Sequence, residues 1–122
     1  MSEFLFVYGT LQTRSPHPAS VRLREEVRPA GPATVGGRLY NLGSYPALVP
    51  CEPGEAVVYG ELLELLAPAA SLPWLDAYEG PEYQRRGITA VPRRGNPVEA
   101  WCYVYAGEPA DRPLIASGVW PV

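Results

Sequence analysis

Phe4-Leu5-Phe6-Val7-Tyr8-Gly9-Thr10-Leu11 is an apolar run that stops at a glycine. Aromatic and β-branched side chains over residues 3–8 predict a short, largely buried first strand. A strand that ends abruptly leaves bare N–H donors at one edge. Gly9 has no Cβ, so the chain there can turn sharply or approach a ligand closely, and successive free N–H groups in a turn form a concavity that suits an anion. Gly9-Thr10-Leu11 therefore reads as a seat for a carboxylate or for a developing oxyanion. An ordinary glycine turn is the other reading of these residues alone, so the rest of the chain must decide.

Outward from this corner, residues 12–18 are polar, contain Pro16 and Pro18, and predict a loop. His17 lies between those prolines and, with no second histidine in the chain, reads as a surface residue. Residues 19–27 carry Val21, Leu23 and Val27 among charges, which predicts a short surface helix. Gly36-Gly37 breaks the next stretch, after which Leu39, Tyr40 and Leu42 predict a strand entering a bend at Gly43. Residues 57–66 form the clearest central strand, with Gly60 marking a bulge or a close approach by another segment. Ser71 predicts a helix cap with Pro73 in the first turn, the helix running to about residue 78 and ending at Gly80-Pro81. Residues 83–91 and 98–105 predict an antiparallel pair, and residues 107–122 an irregular tail.

Bulk properties narrow the function classes. The 122 residues fit a single domain, 1–122, long enough to bury a core without metals or disulfides. A net charge of −3 and a pI near 5.1 argue against nucleic acid as a partner. All ten basic residues are arginine, which removes Schiff-base chemistry and a lysine base. Cys51 and Cys102 match neither a C-x-x-C pair nor zinc-ligand spacing, so no metal site is expected. They read as separate reduced thiols, with a disulfide between them left open. No apolar run reaches the roughly 20 residues of a membrane span. The expectation is a cytoplasmic protein that acts on a small molecule without a membrane partner, its oligomeric state undetermined.

Five further stretches support the first strand: residues 37–49 (Gly37-Arg38-Leu39-Tyr40-Asn41-Leu42-Gly43-Ser44-Tyr45-Pro46-Ala47-Leu48-Val49), Val58-Tyr59-Gly60-Glu61-Leu62, Leu75-Asp76-Ala77-Tyr78-Glu79-Gly80, Glu82-Tyr83-Gln84-Arg85-Arg86 and Trp101-Cys102-Tyr103-Val104-Tyr105. In this order they resemble the gamma-glutamyl cyclotransferase-like family over nearly the whole chain. The resemblance implies an α+β fold, a small mixed β-barrel with flanking short helices. It also implies a cofactor-free reaction that cyclises a gamma-glutamyl group to 5-oxoproline and releases an amine or amino acid.

Glu79 is the expected catalytic acid/base. It matches the family's Glu-Gly element, and at the C-terminal end of a helix the macrodipole raises the pKa of a partly buried carboxyl. From position alone it reads first as a solvated surface glutamate, and the match to the family's element reverses that order. Gly9, Thr10 and Leu11 would bind the substrate through backbone N–H groups. Tyr8 and Tyr83 combine an apolar wall with a hydrogen-bonding tip. Tyr103 and Tyr105 share a strand face; the resemblance implies that one lines the pocket, and Tyr105 is taken as that residue. Asp76 is left as a helix-surface or hydrogen-bonding residue, and at most one of Arg85 and Arg86 can face a substrate. With no lysine and one histidine to activate Thr10, a covalent acyl-enzyme is not expected. After Tyr8-Gly9-Thr10-Leu11 relatives commonly continue with glycine and asparagine, whereas here Gln12-Thr13-Arg14-Ser15-Pro16-His17-Pro18 follows. This altered loop bears on substrate identity. The competing readings are a small-molecule binding or regulatory module that keeps the pocket without useful turnover, and a protein-interaction domain whose proline-rich loops carry the contacts.

Overall fold

A computed structural model describes residues 2–109 and 111–121. In chain order the elements are β1 (Glu3–Val7), α1 (Pro18–Arg24), β2 (Val27–Asn41), β3 (Pro46–Pro50), β4 (Val57–Leu65), α2 (Pro68–Glu79), β5 (Tyr83–Pro92) and β6 (Val98–Tyr105). The sheet order is β3-β2-β4-β1-β6-β5, and a further β2–β5 pairing at Ala33↔Pro92 and Thr34↔Val91 closes it. The result is a closed five-strand mixed barrel with β3 as an extra strand and two short helices. Among the described residues, β1 and β6 are its one parallel pair, in register at Leu5↔Trp101.

The unbroken apolar run of β1 follows from its place between two cores. Phe6, and Tyr8 just beyond the strand, face the barrel interior with Val35, Val58, Leu62 and Cys102. Leu5 and Val7 face outward, where Leu23 of α1 and Leu72 and Leu75 of α2 cover them. A strand buried on both faces has no polar alternation to display. Among the described residues, no helix is long and apolar enough to cross a membrane.

Three local expectations are corrected. Helix α2 begins at Pro68 with Ala67 as N-cap, and no side chain caps it. Ser71 is fully buried inside the helix, where its hydroxyl donates to Glu26, and Pro73 is an interior residue instead of a first-turn one. Strand β2 starts at Val27, which the sequence placed at the end of a helix, and continues through Gly36-Gly37. The diglycine is the point where β2 changes partner, from β4 at Gly36↔Val57 to β3 at Gly37↔Pro50. A Cβ at Gly36 would lie 3.0 Å from the Cys51 carbonyl oxygen, so crowding selects glycine there without breaking the strand. The tail is irregular as expected, tied to β2 by an isolated bridge between Tyr40 and Leu114; residues 110 and 122 lie outside the described residues.

Gly60 is a close-approach residue. A Cβ there would collide with the Val7 carbonyl and lie 2.7 Å from the Phe6 ring. Gly60→Ala is therefore expected to destabilise the fold by about 3 kcal/mol, the upper part of the range for an overpacked core. Gly87 of β5 has open space around a Cβ, so Gly87→Ala should change stability by less than about 0.5 kcal/mol. Urea unfolding of the two variants reads the difference.

Candidate active site

Three chain segments meet at one end of the barrel: the corner after β1, the β2–β3 loop ending at Pro46, and the turn from α2 into β5. Together they enclose a cavity of about 420 Å³, within the size range of small-molecule sites. Tyr8, Gly9, Thr10, Leu11, Glu79 and Tyr83 all line it. Tyr105 is not among the lining residues; Tyr103 is. Both tyrosines sit on the outer face of β6, but α2 passes over Tyr103, whose hydroxyl donates to Asp76 at 2.6 Å. Tyr105 lies farther along, paired with Tyr83 across the ladder and edge-on to its ring at 6.1 Å.

Gly9 serves the site through close approach. Its φ is not among the positive values, and a Cβ there would lie 3.0 Å from Cγ of Pro46. The carbonyl of Gly9 accepts from the backbone N–H of Gln12 at 3.1 Å, which fixes the corner. Among the described residues, the N–H groups of Gly9, Thr10 and Leu11 make no hydrogen bond within the protein. They are unspent donors on the wall of a cavity.

Glu79 is the last residue of α2, and its partly buried carboxyl faces this cavity. No protein donor reaches it among the described residues, and burial raises its pKa from 4.5 to about 7. Withdrawal from water is the cause: a charged carboxylate loses hydration that nothing replaces. Asp76, three residues earlier, shows the opposite balance. Burial pulls it upward, but hydrogen bonds from Arg85 and Tyr103 bring it below its ordinary value. Asp76 is thus a hydrogen-bonding residue, and Arg85 is occupied by it at 2.9 Å. Neither Arg85 nor Arg86 lines the cavity.

The cavity tyrosines are held as phenols. Tyr8 donates to the Tyr103 carbonyl at 2.6 Å and accepts from the Leu48 N–H at 3.3 Å. Tyr83 donates to the Pro46 carbonyl at 2.6 Å. Burial, assisted by the Glu79 charge, pushes both hydroxyls above their ordinary range. Their protons are engaged, so what they turn toward a ligand is an oxygen lone pair.

His17 and Tyr78 are among the lining residues that were not read as site residues. His17, expected on the surface, is half-buried in the cavity wall. Tyr78 stands beside it, its hydroxyl 3.2 Å from Thr10 Oγ1 and its ring edge-on to the imidazole. The Tyr45-Pro46 bend also borders the cavity, with Tyr45 donating to Glu82 at 2.8 Å. A second cavity of about 600 Å³ lies beside β2, β4 and β5. Its one carboxylate, Glu61, already accepts from the Thr13 N–H and hydroxyl at 2.8 and 2.7 Å, so it offers no free acid or base.

The profile of the family described as gamma-glutamyl cyclotransferase, AIG2-like, matches residues 5–122. The chain belongs to that family. Among solved structures, YtfP from Escherichia coli is 33% identical, with a TM-score of 0.66 and coverage of 96% of this chain and 95% of that one. An AIG2-like protein from Mus musculus has a TM-score of 0.76 at 24% identity, covering 98% and 88%. YkqA from Bacillus subtilis has a TM-score of 0.73 at 24% identity; 98% of this chain aligns with it, but this chain spans only 40% of the YkqA length. At 24% identity the last two speak for the fold alone. No curated protein matches significantly in sequence.

The desolvated carboxyl of this gamma-glutamyl cyclotransferase family member has a consequence for stability. Between pH 4.5 and about 7 the folded chain retains a proton on Glu79 that the unfolded chain has released. Stability therefore falls as pH rises across that window and levels off above it. In Glu79→Gln this component is absent. The difference in unfolding free energy, wild type minus variant, is expected to decline from pH 4.5 to 7 in urea titrations, whereas parallel curves would place the carboxyl in water.

Proposed function

We propose that the protein cyclises the gamma-glutamyl group of a small donor to 5-oxoproline, with Glu79 as the general acid/base. The observation that carries this reading is the Glu79 carboxyl, which faces the cavity without a protein partner and has a pKa raised to about 7. A proton acceptor poised near the working pH is what general base catalysis requires.

The donor supplies both reactants, since its α-amine can reach its own gamma-carbonyl and close a five-membered ring. The protein needs to fold the donor and move protons. The α-ammonium enters a cavity whose acceptors are the Glu79 carboxylate and the oxygens of Tyr8 and Tyr83. Glu79 takes one proton, and the freed amine attacks the gamma-carbon to form a C–N bond. The gamma-oxygen becomes an oxyanion, and the N–H groups of Gly9, Thr10 and Leu11 suit either this charge or the donor's α-carboxylate. A second proton leaves the attacking nitrogen, the scissile C–N bond breaks, and Glu79 returns protons to the departing nitrogen. Across the reaction the α-nitrogen loses two protons and the leaving nitrogen, released as an ammonium, gains two.

A panel of gamma-glutamyl amino acids and amines, assayed by mass spectrometry for 5-oxoproline, tests this. At least one donor is expected to give product, with kcat/KM rising through an acid limb centred near pH 7. Glu79→Gln should lower kcat by about 10²–10⁴ while donor binding persists. An unchanged rate in Glu79→Gln would remove the assigned base, and binding without product from any donor would leave a binding module.

A further inference from the structure

His17 is the only residue of the cavity wall whose side chain contains nitrogen. It is the N-cap of α1, and its Nδ1 accepts from the Ala19 N–H at 3.1 Å. An imidazole that accepts at Nδ1 carries its proton on Nε2. That N–H has no protein acceptor among the described residues. The ring is also held in place: it meets the Tyr78 ring edge-on, with centroids 5.7 Å apart and planes at 70°. Pro16 and Pro18 flank it and restrict the backbone on both sides. A donor fixed in this way loses little freedom when it binds an acceptor.

We propose that His17 is a specificity-determining residue, its Nε2–H donating to an acceptor oxygen on the leaving half of the donor. This rests on the cyclotransferase reading above. The gamma-glutamyl half already has its partners in the Gly9 corner and Glu79. His17 lines the same cavity as Glu79, beside Tyr78, and on this proposal it faces the half of the donor that carries the departing nitrogen. A carboxylate or carbonyl close to that nitrogen meets the Nε2–H, whereas a plain alkyl group leaves it unpaired. The charged side chains of the wall are the carboxyls of Glu79 and Glu82, the latter already accepting from Tyr45, so a leaving-group carboxylate finds its one side-chain N–H donor at His17. The structure thus assigns preference to a donor with an oxygen acceptor beside the scissile amide.

The test uses two donors, gamma-glutamylglycine and gamma-glutamylethylamine, bound to E79Q so that turnover does not intervene. His17→Asn is the second variant, because the asparagine oxygen can still cap α1 from the Ala19 N–H while the Nε2–H is lost; its circular dichroism and Tm check the fold. Gamma-glutamylglycine should bind E79Q about tenfold more tightly than the E79Q/H17N double variant, as expected for a hydrogen bond to a charged group. Gamma-glutamylethylamine should bind both equally. Because the chain has one histidine, its imidazole ¹⁵N signals need no assignment, and they should shift with the glycine donor alone. Equal weakening of both donors, weakening of neither, or an unmoved imidazole would overturn the proposal, as would the failure of either donor to bind. Absence of 5-oxoproline from the wild-type chain would instead remove the cyclotransferase reading, and the binding comparison would still decide the role of His17.

Discussion

A carboxyl withdrawn from water without a compensating donor is the constraint around which this end of the molecule is organised. Such a group costs stability, and proteins ordinarily pair it or place it outside. Here the neighbouring structure prevents both. Glu26 accepts from Ser71 and Trp74 and fastens the first half of α2 against the barrel. Asp76 binds Tyr103 and Arg85 and fastens the second half. With α2 held at both points, its last residue must project over the corner after β1, and the available arginine is already engaged one turn away. Two carboxyls three residues apart thereby acquire opposite characters, one structural and ionised, the other poised to exchange a proton.

The tyrosines extend the same logic. Tyr8 links β1 to the backbone of β6 at Tyr103 and of β3 at Leu48, and Tyr83 links the start of β5 to Pro46. Each phenol proton is directed into the protein framework, which stiffens three walls of the cavity and leaves Glu79 as the acidic group with no such engagement. The N–H groups of the Gly9 corner add free donors to the same cavity, and on the proposed reading they take an anion while Glu79 and the tyrosine oxygens take an ammonium. A gamma-glutamyl group carries both charges on its α-carbon.

Much of this was legible in the sequence because it depends on local chemistry. The continuous apolar run of β1, the close approach at Gly60, the helix stop at Gly80 and the β5–β6 pair follow from residue type and spacing. What was not legible depends on contacts between distant segments. Ser71 has the chemistry of a cap, and only the position of Glu26 turns it into a buried interior residue. Gly36-Gly37 looks like a break until two partner strands are placed on either side of it. Tyr103 and Tyr105 share a face, and which of them lines the cavity is settled by where α2 crosses. His17 between two prolines looks like loop surface, because nothing nearby in sequence announces Tyr78. For Glu79 the direction of the pKa shift was readable from the helix end, whereas the extent of its desolvation is a tertiary feature.

The most direct test of the central claim is a ¹³C NMR titration of the Glu79 side-chain carboxyl, identified by its absence from the Glu79→Gln spectrum. The account predicts a midpoint near 7 for this one resonance. A midpoint near 4.5, the ordinary glutamate value, would contradict it, because a fully hydrated carboxyl would be neither desolvated nor poised to move a proton at neutral pH.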